Sequence, residues 1–106
     1  MISSNLFVGF SRPEEDELFH VLLENSKVKI ERIVSHGHRS PENSWYDQDT
    51  NEWVAVLKGR ATLIVEGEPD PVQLETGSYL NIPSHTKHRV QWTDSDVDTI
   101  WLTVHY

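Results

Sequence analysis

From Lys27 onward the apolar residues fall on alternate positions. Val28 and Ile30 alternate with Lys27, Lys29 and Glu31, and the run continues through Ile33 and Val34. A period of two sends successive side chains to opposite faces of a strand. After residue 51 such runs follow one another closely, over 52–57, 60–66, 71–75, 78–82, 88–93 and 99–105. Lys58-Gly59, Gly67-Glu68-Pro69-Asp70, Thr76-Gly77, Pro83-Ser84 and Asp94-Ser95-Asp96 punctuate them. Short strands at regular spacing with turns of this kind predict an all-β sandwich or barrel.

Before residue 27 the pattern differs. Ser11-Arg12-Pro13-Glu14 reads as a helix start: the serine oxygen can accept from an unpaired amide, proline is tolerated in the first turn, and the acids through Glu17 complement the positive helix end. Leu18, Phe19, Leu22 and Leu23 then make one apolar face at helical spacing, and Asn25 is a stop. A short N-terminal helix is expected; a strand is the alternative, because Phe19-Val21-Leu23 also alternates. Ile2, Leu6, Phe7, Val8 and Phe10 suit an edge strand. The segment 35–51 is polar, turn-rich and long for a connection, and Trp45-Tyr46 within it argue that it docks on the body. One domain is expected for 106 residues: an extension over 1–26 and a barrel over 27–106.

Composition narrows the chemistry. The chain has no cysteine, so it offers no disulfide, thiolate ligand or sulfur nucleophile, which is compatible with a reducing cytosol. No secretory pattern opens it and no apolar run reaches membrane-spanning length. A cytoplasmic protein with no membrane partner is expected. Nine Lys and Arg stand against 17 Asp and Glu, a formal charge of −8. Without a compensating basic stripe, nucleic acid is not an expected partner.

The candidate chemistry lies in the histidines and one carboxylate. Four of the six histidines form two close pairs, His36/His38 and His85/His88. Glu52 leads the apolar strand that Gly59 closes. Gly77 opens the run Ser78-Tyr79-Leu80-Asn81-Ile82, Pro83 stops it, and His85 and His88 follow.

Glu52-x6-Gly59 resembles the second half of the first cupin motif, and Gly77-x5-Pro83 with His88 resembles the second. Together, in order, over about residues 27–106, they are far more specific than either alone. The resemblance implies a cupin-type double-stranded β-helix, a jelly-roll barrel, here with the short N-terminal helix added. It also implies a divalent transition metal at the barrel mouth, with Glu52 and His88 as ligands, and a homodimer. Two departures stand out. His85 occupies a position that is usually glycine, where it could add a ligand. The first motif usually carries two histidines shortly before its glutamate; that register lands on Tyr46-Asp47-Gln48, whereas the chain's own His36-Gly37-His38 lies further upstream and requires an inserted loop. Imidazole is the better ligand, which favours His36 and His38; Gln48 and Tyr46 remain the alternative.

Imidazoles plus one carboxylate suit Fe, Mn, Ni, Cu or Zn. Such a site could activate oxygen or polarise a carbonyl. Three functions are open: a metal-dependent enzyme (dioxygenase, isomerase or decarboxylase) on a small polar substrate, a non-catalytic ligand- or metal-binding or sensor module, or a metal-free structural barrel. No catalytic residue follows from the sequence. Plainer readings compete: Glu52 and His88 as residues at exposed strand ends, His85 as a solvated loop residue, His36/His38 as a surface pair, His20 and His105 as structural, and Trp45, Trp53, Trp92 and Trp101 as core or interface.

Overall fold

The computed structural model describes residues 1–106, which form eight antiparallel strands and no helix. They are β1 (Leu18–Glu24), β2 (Lys29–Ser35), β3 (Glu52–Lys58), β4 (Ala61–Val65), β5 (Val72–Leu74), β6 (Tyr79–Ile82), β7 (His88–Thr93) and β8 (Thr99–His105). One sheet has the order β1-β2-β8-β3-β6 and the other β5-β4-β7. The core between them is built from alternate residues of both sheets: Val54 and Val56 of β3, Leu63 and Val65 of β4, Leu74, Ile82, Val90 and Trp101. The all-β expectation and its six later strands therefore hold, with ends shifted by a residue or so.

The expected N-terminal helix is a strand. Leu18 pairs with Val34 and the register continues to Glu24 opposite Lys29, with one irregularity between Val21 and Leu23. The turn is made by Asn25, whose Oδ1 accepts from the amides of Lys27 and Val28 and whose own amide donates to the Val28 carbonyl at 2.9 Å. A helix over the same residues would satisfy its own backbone but leave the outer edge of β2 unpaired, and ladder pairing prevails. The free edge passes to β1, where Val21, Leu22 and Leu23 are exposed.

Residues 5–10 do not form an edge strand either. The buried Arg32 holds them instead. Its Nη1 donates to the carbonyls of Asn5, Leu6 and Val8 at 3.3, 3.2 and 2.9 Å, and its guanidinium lies 4.8 Å from the Phe10 ring centre. A planar guanidinium with several donors can gather carbonyls from an irregular segment as a ladder cannot.

The segment before β3 docks, as its aromatics suggested. Gly37 N donates to the Asp94 carbonyl at 2.8 Å and Ser40 N to Val90 at 2.8 Å; Tyr46 and His88 exchange backbone bonds at 2.8 and 3.1 Å. It thus runs along the free edge of β7 as an irregular fourth strand of the smaller sheet. No helix of the chain is long and apolar enough to cross a membrane.

Gly59, in the turn between β3 and β4, has φ of +82°, and a Cβ there would sit 2.5 Å from Thr99 Oγ1 and 2.8 Å from Thr99 Cα. Both the left-handed backbone and the neighbouring chain exclude a side chain. Gly59→Ala should cost roughly 2–5 kcal/mol, measured by urea denaturation; a loss under about 1 kcal/mol would contradict this packing.

Candidate functional site

Glu52 opens β3 in the larger sheet and His88 opens β7 in the smaller one, and both are buried. Alternation turns each side chain inward, so the two meet in a cavity of about 540 Å³ between the sheets. His88 Nε2 lies 3.3 Å from Glu52 Oε1. Its Nδ1 is 3.0 Å from the Thr86 carbonyl, which with a proton on Nδ1 fixes the ring and turns Nε2 toward the acid. Gln48 Nε2 donates to Glu52 Oε1 at 3.1 Å, and the Tyr46 ring stacks on the His88 ring with centres 5.4 Å apart. Val54, Leu63, Ile82, Val90 and Trp101 supply apolar walls.

Of the two possible first-motif registers, the cavity contains Tyr46 and Gln48. His36 and His38 lie elsewhere, and the expectation that favoured them is corrected. His36 Nδ1 is 2.8 Å from Asp98 Oδ1, its amide donates to His38 Nδ1, and His38 Nε2 is 2.7 Å from the Glu14 carbonyl. The reason is the docked segment: between His38 and Glu52 it travels the length of β7, and only its last residues reach the mouth. His85 also stands apart from the cavity. Its side chain is 64% exposed and faces Asp47 and Asp49, at 3.0 and 3.4 Å. What it contributes is a backbone bond, donating to the Gln48 carbonyl at 2.8 Å.

Electrostatics set the protonation of the central groups. Burial pushes the Tyr46 phenol up from its ordinary value, and the charges of Glu17 and Glu52 add to this, so it keeps its proton through neutral pH. Burial alone would lower His88; the polar contact with Glu52, the Thr86 carbonyl and the Glu52 charge together outweigh it, and the net shift is upward. The donor set gathered around Glu52 and His88 is therefore one imidazole, one carboxylate, a protonated phenol and an amide whose nitrogen is engaged with Glu52. No group of three or more His, Cys, Asp or Glu side chains is placed to hold an ion. This set does not fit a tightly held transition metal, which wants several nitrogen, sulfur or carboxylate donors.

Several cavity residues are not expected at the site from sequence, and two of them, His105 and Trp101, read there only as structural or core residues. On β8, Trp101, Thr103 and His105 all face inward, as do Lys29, Glu31 and Ile33 on β2. Cα pairing sets Lys29, His105 and Glu52 in one row across the sheet. His105 Nε2 is 3.3 Å from Glu31 Oε1. Their shared strand parity was the available signal; that β2 and β8 are neighbours was not.

Two expectations follow. Because the folded-state value of His88 is raised, the stability it gains from Glu52 is complete below its unfolded value of about 6.5. That stability is lost as pH rises through the higher folded value. Imidazole NMR titration should place His88 above about 6.5, and Glu52→Gln should bring it down; a wild-type value at or below 6.5 would contradict the pairing. His85 has φ of 61° without being glycine. Relieving that strain costs only exposed polar contacts, so His85→Gly should raise stability by about 0.5–1 kcal/mol in thermal denaturation; a clear loss would mean those contacts outweigh the strain.

A cupin-domain family model matches residues 30–105. Among solved structures, a putative mannose-6-phosphate isomerase from Ralstonia eutropha JMP134 is 43% identical, with 99% of this chain and 97% of that chain covered and a TM-score of 0.94. An RmlC-like cupin protein from Desulfovibrio desulfuricans is 21% identical over 99% of this chain and 96% of that chain, TM-score 0.73. An RmlC-like cupin family protein with a double-stranded β-helix fold from Methanocaldococcus jannaschii is 21% identical over 99% and 91%, TM-score 0.70. Among curated proteins there is no match. Two antiparallel sheets enclosing Glu52 and His88, the family match and these likenesses agree: this chain belongs to the cupin family and has its double-stranded β-helix fold.

Proposed function

We propose that this cupin barrel binds a small polar organic molecule and moves protons on it with Glu52 and His88, in an isomerase-type reaction. The observation that carries the reading is the buried contact of a carboxylate and an imidazole, 3.3 Å apart, at the wall of a cavity with apolar sides. The putative mannose-6-phosphate isomerase from Ralstonia eutropha, 43% identical, supports the reaction class by its name. Aldose–ketose exchange needs a base at carbon and an acid at oxygen. In this reading the Glu52 carboxylate takes the proton from the carbon beside a carbonyl, and His88, whose charged form the Glu52 contact favours, gives its proton to the carbonyl oxygen. Glu52 then returns its proton to the former carbonyl carbon of the enediol, while His88 accepts the proton of the neighbouring carbon's own hydroxyl, which becomes the new carbonyl; both groups end as they began. Tyr46, its phenol kept protonated, donates a hydrogen bond to the oxygen that carries the developing charge.

The test is proton exchange in D2O, followed by NMR, with a panel of aldoses, ketoses and their phosphates. The wild type should label the carbon next to the carbonyl, and Glu52→Gln and His88→Asn should each slow labelling by about 10²–10⁴-fold. Binding without labelling would make the barrel a ligand-binding module instead. Elemental analysis after exposure to Fe, Mn, Ni, Cu and Zn completes the test. Stoichiometric metal that both variants lose would replace this reading with a metal-bearing one.

A further inference from the structure

The cavity holds a second acid–imidazole pair that the reaction above does not use. Glu31 and His105 lie 3.3 Å apart, with Lys29 Nζ 3.7 Å from the same Glu31 oxygen. Beside them is Thr103, Cα partner of both Glu31 on β2 and Val54 on β3. It is 1% exposed, lines the cavity, and its hydroxyl has no hydrogen-bond partner in the protein. Leaving a buried hydroxyl unpaired costs about 1–3 kcal/mol, and nothing in the core packing calls for threonine over valine there. The position makes sense when a ligand oxygen meets it.

Charge then limits the ligand. The cavity is lined by Glu17, Glu24, Glu31 and Glu52 against Lys27 and Lys29, with no arginine. Lys29 Nζ faces the Glu31 carboxylate at 3.7 Å, which offsets part of its charge. A phosphate dianion would meet a net negative wall without the forked donors that usually hold it. A cationic amine would compete with Lys29 and the imidazoles for the same acids. Carboxylate oxygens with spare acceptor capacity suit hydroxyl donors, and a threonine hydroxyl both donates and accepts.

We propose that Glu31, His105 and Thr103 form a recognition site for the hydroxyl groups of an uncharged polyhydroxy compound, an unphosphorylated sugar or polyol. This rests on the reading of Glu52 and His88 as the reacting pair and names what that pair acts on. The ligand spans the row Lys29–His105–Glu52, its hydroxyls on Glu31 and Thr103 and its reactive end at Glu52 and His88.

Saturation-transfer NMR and titration calorimetry on the full chain test this with D-mannose, D-fructose and mannitol as uncharged probes, D-mannose 6-phosphate as the anionic one and D-glucosamine as the cationic one. At least one uncharged probe should bind about tenfold or more tighter than either charged probe. Glu31→Gln should weaken it about tenfold and Thr103→Val about fivefold. Thr103→Val should do so without lowering the melting temperature, a combination that a purely structural threonine would not give. Tighter binding of the phosphate or the amine, no binding by any uncharged probe, or unchanged affinity in Thr103→Val overturns the proposal. The two readings fail separately. Uncharged probes that bind through Thr103 but never exchange a proton sink the reaction and leave this site standing. Exchange seen only with phosphorylated sugars does the reverse.

Discussion

The reciprocal backbone bonds between Tyr46 and His88 hold the site together. They tie a long polar segment to the exposed edge of the smaller sheet and satisfy donors and acceptors that would otherwise face the cavity mouth unpaired. Each such bond is worth only about 0.5–1.5 kcal/mol net, but leaving its partners buried and unmet would cost more. Their consequence is positional. They lay the Tyr46 ring on His88, bring Gln48 to Glu52, and set the start of β3 so that its first side chain points inward.

Around that seam the cavity wall carries an unusual load of buried charge for so small a barrel. Glu31 and Glu52 are both buried, on strands separated only by β8. Each has an imidazole 3.3 Å away. An unpaired carboxylate at either place would pay a desolvation penalty of several kcal/mol. Pairing reduces that penalty without making the pairs a source of stability, since a well-packed apolar replacement is often as good. In the function proposed above, their place in the wall is accounted for by contact with a bound molecule rather than by a gain for the fold. The apolar strip of Val54, Leu63, Val90 and Trp101 lowers the local dielectric beside them and strengthens their fields.

The N-terminal segment shows how local signals lose to sheet completion. Its helix-start residues and helically spaced leucines are real, yet β2 has an open edge, and an alternating strand that can cover it gains a full ladder. Arg32 then pins the preceding residues by their carbonyls, a role that no periodicity announces because it depends on one side chain meeting an irregular backbone.

By itself the sequence determined the strand pattern after residue 27, the turns between strands, the all-β class and the two anchors Glu52 and His88. The strands, turns and class follow from period-two alternation and from glycine and proline at fixed places, which are local properties; Glu52 and His88 were picked out by the resemblance of their surroundings to the two cupin motifs. It also offered both registers for the first motif, and ligand chemistry alone pointed to the wrong one. Only the tertiary structure decided that Tyr46 and Gln48 reach the cavity while His36 pairs with Asp98 and His38 with the Glu14 carbonyl. Likewise, Glu31 and His105 lie 74 positions apart in the chain and become neighbours only because β2 and β8 pair. Which strands lie side by side is settled by how edges are covered and cores are filled, and no stretch of residues read alone contains that information.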